Sequence, residues 1–150
     1  LSMAGARFSI DTQGLDRLQA SVRLVASGVR DTSTLMPRLG EYLQRSTQER
    51  FRTQNDPDGE AWAALQPHTL KRKKRNRDKI LTERGYLRKH IYYQLTSPSR
   101  VEVFSDRVYA ATHQFGRGNI PARPFFGLSA EDKEEIGAIV RDWATEMGFK

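Results

Sequence analysis

A dense run of positive charge is the feature that most limits how this chain can fold. Seven of the nine residues in the segment 71–79 are basic, namely Lys71, Arg72, Lys73, Lys74, Arg75, Arg77 and Lys79. Like charges at this density repel one another and oppose compact packing. The sequence therefore predicts a long, mobile basic loop over residues 66–80, with the folded elements on either side of it.

The positive charge is local rather than spread over the chain. The 150 residues carry a formal net charge of +7. Residues 71–90 hold ten basic and two acidic side chains, a sum of +8, so the other residues together sum to −1. Two interpretations stay open: a solvated surface loop, or an electrostatic contact with nucleic acid or an acidic protein surface. No aromatic residue lies within 71–79, so stacking on single-stranded bases is not indicated there.

Length and composition favour one globular domain. A chain of 150 residues with 37% hydrophobic side chains has the size of an ordinary single domain, so we expect one domain over residues 1–150. The absence of cysteine excludes disulfides, thiol nucleophiles and cysteine-based metal sites. No apolar run approaches the roughly 20 residues that span a bilayer, and we expect no membrane partner. Leu1 and Ser2 precede Met3 and are interpreted as a cloning remnant.

Alternating apolar residues predict a small antiparallel sheet. Residues 7–11 have a strand pattern, and residues 91–96 and 100–104 are two further strands joined by a short turn. Val101 and Val103 are expected to face the core, with the apolar side chains Ile91, Tyr93 and Leu95 of the preceding strand on the same side. The two strands around the turn therefore predict a hairpin.

Apolar residues at spacings of three and four predict amphipathic helices. One begins at Leu15, and a second begins near Leu35 with Pro37 in its first turn. One of Asp31, Thr32 or Ser33 is expected to cap the second helix. Together with the strands, these helices predict an α+β fold in which the sheet packs against two or three helices.

The last helix has the clearest start signal. Ser129 is a predicted N-cap, and Asp132 follows three residues later, as in a capping box. Acidic residues crowd the first turns, where negative charge suits the helix dipole. The predicted buried stripe consists of Ile136, Ile139, Val140, Trp143 and Met147.

The residues needed for catalysis do not form a recognisable constellation. The histidines His68, His90 and His113 have no second histidine at a metal-ligand spacing. Asp56 and Asp58 fit a tight turn better than a calcium loop, because the rest of the ligand register is missing. We therefore expect no enzyme, no cofactor and no metal. The enzymatic alternative would need a polar cleft that joins His113 to carboxylates.

Four segments, in order, resemble motifs of the phage virion morphogenesis family, which includes the tail completion proteins of Mu-like and P2-like phages. These four family segments are residues 56–65, 80–88, 109–116 and 120–129. The resemblance covers residues 15–145. In the second segment, Glu83-Arg84 precede Gly85, whereas the family usually has threonine directly before this glycine.

The resemblance implies a non-enzymatic structural protein that completes the phage tail and helps to join it to the head. Related tail-end proteins form rings that match the sixfold symmetry of the tail, so a ring-forming subunit, with a hexamer as one option, is also implied. The implied partners are copies of the chain itself, the tail tube and head–tail connector proteins, with DNA as a further option through the basic loop. The implied location is the virion tail, and the host cytoplasm during assembly.

Five residues are candidates for a subunit interface: Trp62, Phe115, Arg123, Phe125 and Phe126. Aromatic residues and arginine are enriched in interfaces, but the aromatic residues here can equally form the core. Residues 131–150 sum to −3, opposite in sign to the basic segment. Contacts between such opposite poles suit a closed ring. A nucleic-acid-binding module that uses the basic segment 71–79 is the alternative function.

Overall fold

The core of the fold is a sheet of three antiparallel strands. The computed structural model describes residues 5–11, 13–15, 31–74, 79–81 and 85–148. The strands are β1 (Ala6–Asp11), β2 (Ile91–Ser97) and β3 (Arg100–Ser105), in the order β1-β3-β2. This confirms the predicted first strand and the predicted hairpin.

The register of the sheet puts alternate residues of the central strand β3 into the core. Val101 pairs with Ile10 on one side and Leu95 on the other, and both Val101 and Ile10 are buried. Val103 is buried as well. Leu95 lies on the same face of the sheet as Val101, as predicted, but it is 40% exposed and so is not part of the buried core. Leu95 lies on an edge strand close to the hairpin turn, where little of the core is left to cover it.

The long helix α1 (Met36–Thr53) starts without the predicted side-chain cap. Its N-cap is Leu35, and no side-chain hydrogen bond closes the helix start, so the prediction of a cap at residues 31–33 was wrong. Instead, the backbone carbonyl of Thr32 accepts bonds from the amides of Leu35 and Met36, at 3.0 and 3.1 Å. Pro37 lies in the first turn as predicted, where its missing N–H costs nothing.

Helix α1 lies directly on the sheet because a glycine allows close approach. A Cβ atom at Gly40 would lie only 2.3 Å from the Tyr93 ring of β2 and 2.8 Å from Val101 of β3. Leu39 and Leu43, on neighbouring positions of the helix, are fully buried. The absence of a side chain at residue 40 therefore sets the distance between helix and sheet.

The C-terminal helix α5 (Ala130–Glu146) confirms the predicted capping box. The Ser129 hydroxyl accepts a bond from the Asp132 amide, and the Asp132 carboxylate accepts one from the Ser129 amide, both at 3.0 Å. Trp143 is fully buried, and its indole N–H donates to Thr34 at 2.8 Å. Including Met147 in the buried stripe was wrong: it is the C-cap residue, past the packed part of the helix, and 52% exposed.

Three short helices complete the described elements: α2 (Pro67–Arg72), α3 (Tyr86–Lys89) and α4 (Ala110–Phe115). The predicted long basic loop over 66–80 is thus wrong for its first part, because α2 occupies it. Pro67 is preorganised for the first helical turn, and the basic residues at the end of α2 suit the negative end of the helix dipole. The start of the helix predicted from Leu15 is helical where it is described, at residues 13–15, and Leu15 is buried, while the rest of that helix lies outside the described residues. The middle of the basic segment, residues 75–78, also lies outside them. In the described ranges, no helix has both the length and the apolar character to cross a bilayer.

Candidate functional site

An extended stretch without helix or strand, the proline segment (residues 121–126), is held in place by side chains. The Gln114 amide oxygen, from α4, accepts bonds from the backbone amides of Phe125 and Phe126, both at 3.0 Å. Prolines within the segment prevent it from joining a helix or a central strand. One glutamine oxygen therefore accepts from two amides that a strand would have paired with backbone carbonyls.

A buried carboxylate joins the two long helices beneath the proline segment. The Asp132 side chain accepts hydrogen bonds from the Tyr42 hydroxyl at 2.7 Å and from the Ser46 hydroxyl at 2.5 Å, and it pairs with the Arg50 guanidinium. Arg50 also donates to the backbone carbonyl of Phe125 at 2.7 Å. These side chains, the Asp132 cluster, link α1, α5 and the proline segment.

The Asp132 cluster keeps its carboxylate ionised despite burial. Burial by itself favours the neutral acid, but hydrogen bonds from Ser46, the Ser129 amide and Tyr42, together with the Arg50 charge, lower the pKa of Asp132 below its ordinary value. Burial, and then the bond to Asp132, raise the pKa of the Tyr42 hydroxyl. Both groups thus hold fixed protonation states near neutral pH, which indicates a structural role.

Three of the five interface candidates form an aromatic core with Phe51. The Phe51 ring lies 5.5 Å from Trp62 and 5.3 Å from Phe125, and Phe125 lies 4.7 Å from Phe126. Trp62 also donates its indole N–H to the Pro124 carbonyl at 2.8 Å. Trp62, Phe125 and Phe126 are all buried within the protomer, which favours the core interpretation for them.

A cleft of about 1000 Å³ opens beside the proline segment. Each of the four family segments contributes to its wall, among others through Leu65, Leu87, Tyr109, His113 and Arg123. The basic segment adds Arg72 and Lys73. Residues that are far apart in the sequence, and that the sequence analysis treated separately, therefore meet at one site.

Arg123, the fourth interface candidate, is a buried cation in the wall of this cleft. Its residue is only 6% exposed. The guanidinium Nε donates to the Ala63 carbonyl at 2.8 Å, and Nη2 donates to the Ala64 carbonyl at 2.9 Å. Burial lowers the pKa of Arg123. Its hydrogen-bond partners are neutral carbonyls, and no carboxylate of a described residue pairs with it.

His113 is the second polar group held in the cleft wall. Its ring packs edge-on against Tyr109 with centroids 6.1 Å apart, and its buried Nδ1 atom has no hydrogen-bond partner. Burial, and then the Arg123 charge, lower the pKa of His113. The described lining residues include no Asp or Glu, so the histidine–carboxylate arrangement that the enzymatic alternative requires is not formed among them.

The basic segment is divided between solvent and structure. Among its described residues, Lys71, Arg72, Lys74 and Lys79 are exposed, whereas Lys73 is buried and donates through Nζ to the Lys79 carbonyl. Arg75 and Arg77 lie outside the described residues. The bond from Lys73 therefore links the first part of the basic segment to its end. Arg72 lines the cleft with its charged side chain.

Exposed apolar side chains occur in the cleft and in the chain next to its lining residues. Tyr109 and Ile120 line it and are both exposed. Val108 precedes Tyr109 and is more exposed still. Phe115, the fifth interface candidate, ends α4 and is 71% exposed. Of the five candidates, Phe115 is the side chain open to contact outside the protomer.

The sequence analysis missed two residues of the site. Sequence patterns did not indicate the contacts that His113 and Gln114 make in the site. Both lie in the third family segment, directly before Gly116, which has a positive φ of 78° and backs onto Ala122. Their position in the third family segment was the one sequence feature that could have pointed to a role for these two residues. Among the described residues, no three His, Asp or Glu side chains lie close enough together to hold a metal ion.

Comparison with known proteins gives one family and one relative. A profile of the phage virion morphogenesis family matches residues 10–144. The chain is similar to the "Putative capsid assembly protein G" of Escherichia phage Mu, with 29% identity over 138 residues, which is 83% of this chain and 86% of the relative. No solved structure matches the chain.

Proposed function

The chain belongs to the phage virion morphogenesis family, and from this premise we propose that it is a tail completion protein. A structural role in phage assembly follows from the family and from the similarity to the Mu protein. In the proposed role the protein docks onto the tail tube and onto head–tail connector proteins without catalysing a reaction. It assembles in the host cytoplasm and ends in the virion tail.

The tail completion role is tested by deleting the gene from an inducible phage and examining the lysate by electron microscopy. We expect separate DNA-filled heads and tails, and joined particles again when the gene is supplied from a plasmid. A lysate without complete heads would instead assign the protein to capsid assembly, as the name of the Mu relative has it. Normal joined particles from the deletion phage would refute both roles.

Within this role we propose that copies of the chain form a ring through surfaces of opposite charge. The outer face of α5 exposes Glu131, Glu134, Glu135 and Asp142, while α2 exposes Lys71 and Arg72. Such unlike surfaces favour a head-to-tail contact, and repetition of that contact can close a ring. Phe115 supplies an exposed aromatic anchor for the same contact. A ring of six subunits would match the sixfold symmetry of the tail.

The ring is tested by the solution mass of the protein in analytical ultracentrifugation. We expect a closed oligomer at low salt, and loss of that oligomer when Glu134 and Glu135 are both changed to Lys. The control is Asp58→Lys, which reverses an exposed charge in a turn that is not part of α5. A monomer at every concentration, or equal effects of both variants, would refute a ring held by these charges.

The second candidate function is nucleic-acid binding by the basic segment. The exposure of Lys71, Arg72 and Lys79 favours it. Contacts to phosphates release counterions, so the affinity should fall by orders of magnitude between roughly 50 and 200 mM salt if several contacts form. Electrophoretic shift titrations of duplex DNA at these salt concentrations measure this slope. Undetectable or salt-independent binding would eliminate the candidate.

A further inference from the structure

We propose that the cleft beside the proline segment is a docking site for an acidic peptide segment of a partner protein, one that carries carboxylates next to an apolar side chain. This inference goes beyond tail completion, because it concerns what the cleft binds and would hold for any assembly role. The argument uses the charge of Arg123, the other cations of the cleft and its apolar wall.

Arg123 is a buried charge with no counterion among the residues that the structure describes. Its two side-chain hydrogen bonds, to the carbonyls of Ala63 and Ala64, use two of the five N–H donors of a guanidinium. Both partners are neutral, while burial of a cation without an anionic partner is costly. The residue lines the cleft, so an anion entering the cleft can reach the remaining donors. A carboxylate matches their planar geometry.

The other charged groups among the described lining residues are also cations, Arg72 and Lys73. The histidines add nitrogen bases: His113 has an unpartnered buried Nδ1, and His68 lines the wall as well. The described lining residues include no Asp or Glu, so their own charges sum to a positive value. A concave, positively charged site of this kind selects an acidic ligand.

The apolar part of the wall favours a peptide over DNA. Leu65, Leu81, Leu87 and Pro121 line the cleft together with the exposed Tyr109 and Ile120. A duplex presents phosphates and sugars, which would leave this apolar surface without a partner. A peptide supplies carboxylates and apolar side chains at neighbouring positions and can cover both. The volume of about 1000 Å³ suits a short segment.

The experiment is a fluorescence anisotropy titration of the purified full chain with labelled probes. The main probe is a ten-residue peptide in which Glu alternates with Leu. The matched probes are the same peptide with Gln in place of every Glu, a ten-residue poly-Glu peptide, a ten-nucleotide single strand and a ten-base-pair duplex. We expect the Glu–Leu peptide to bind at least tenfold more tightly than each of the other probes.

Two pairs of variants locate the binding in the cleft. Arg72→Glu should weaken the Glu–Leu peptide at least tenfold, whereas Lys71→Glu, the same charge change on the adjacent exposed residue outside the lining, should weaken it less than threefold. Ile120→Ser should weaken it several-fold, and Met147→Ser, at an exposed position outside the cleft, should not. All four positions are exposed, so the variants are expected to fold.

The proposal is overturned if the Glu–Leu peptide shows no saturable binding up to millimolar concentration. It is also overturned if Lys71→Glu acts as strongly as Arg72→Glu, since the charge of the whole segment would then be responsible. Tighter binding of either DNA probe would assign the cleft to nucleic acid instead. None of these results depends on the particle morphology that tests tail completion, so the two proposals can fail separately.

Discussion

Arg50 and Arg123 are two arginines with the same burial and opposite surroundings. Each is 6% exposed, and each donates to a backbone carbonyl near the proline segment. Arg50 also pairs with the Asp132 carboxylate, which three further groups stabilise. Arg123 donates to neutral carbonyls, and no carboxylate in the described ranges pairs with it. Among the described residues, the same residue type at the same depth therefore has a counterion in one region and none in the other.

The difference separates a region built for stability from a region built for binding. A buried ion pair gains its energy within the folded chain, so nothing else has to approach Arg50. Burial and then the charge of Arg123 lower the pKa of His113, and Arg123 faces a cleft whose described lining holds no carboxylate, so an anion bound in the cleft can relieve its electrostatic cost. Arg50 thus stabilises the contact between the two long helices and the proline segment, whereas Arg123 is placed to bind a partner.

The largest expected effect is that of removing the neutralised arginine. Arg50→Met should lower the free energy of unfolding by about 3–5 kcal/mol, because it leaves the buried Asp132 carboxylate without its cation. Urea denaturation followed by circular dichroism measures this change. Arg45→Met, at an exposed position of the same helix, is the control and should change stability by less than about 0.5 kcal/mol. A loss as small as that of the control would contradict the structural role of the pair.

The next largest effect is expected for Gln114, whose side chain holds the proline segment in place. Gln114→Met should cost about 1–3 kcal/mol, because the amides of Phe125 and Phe126 lose their acceptor in a buried setting. Gln48→Met removes a single bond near the surface, 3.2 Å long, and serves as the control. Thermal unfolding of the two variants side by side makes the comparison. Equal melting temperatures would show that the proline segment needs no support from Gln114.

Removal of the uncompensated arginine should be milder than removal of Arg50. Arg123→Met leaves the carbonyls of Ala63 and Ala64 unbonded but also removes a charge that burial disfavours, so we expect a loss of about 1–2 kcal/mol. The same urea titration measures it. If Arg123→Met destabilised the chain as much as Arg50→Met, the contrast between the two regions would disappear.

Acidification should affect the two regions in different pH ranges. The pKa of His113 is lowered on folding, so the unfolded chain binds a proton more readily and stability falls as the pH drops below about 6.5. The pKa of Asp132 is also lowered, so its contribution is complete above about pH 4 and is lost on further acidification. His113→Gln should flatten the first range and leave the second. Unfolding midpoints at a series of pH values test this, and an unchanged slope near pH 6 in the variant would contradict it.

Local signals predicted most of the fold. The alternation of apolar residues marked all three described strands, and Ser129 with Asp132 marked the start of α5, because neighbours in sequence make those contacts. Charge density was a poorer guide, since it predicted a loop where Pro67 begins a helix. Helix formation there needs only a favourable first turn and a compatible dipole, and exposed side chains can point away from one another.

The cleft could not be predicted because its contacts span the chain. The bond between Arg123 and Ala63 joins residues 60 positions apart, and the pair of Arg50 and Asp132 joins residues 82 positions apart. Nothing in the local sequence distinguishes the two arginines. The family resemblance marked the right segments, but their convergence on one cavity required the coordinates.

The support of the proline segment by Gln114 has a consequence for hydrogen exchange. Within a sheet, an amide is released only when a whole ladder opens, but the amides of Phe125 and Phe126 depend on one side-chain oxygen. A turn of that single side chain would expose both to deuterium while β1, β2 and β3 stay paired. The exchange rates of these two amides, measured by NMR, therefore report motion in one wall of the cleft without a labelled ligand.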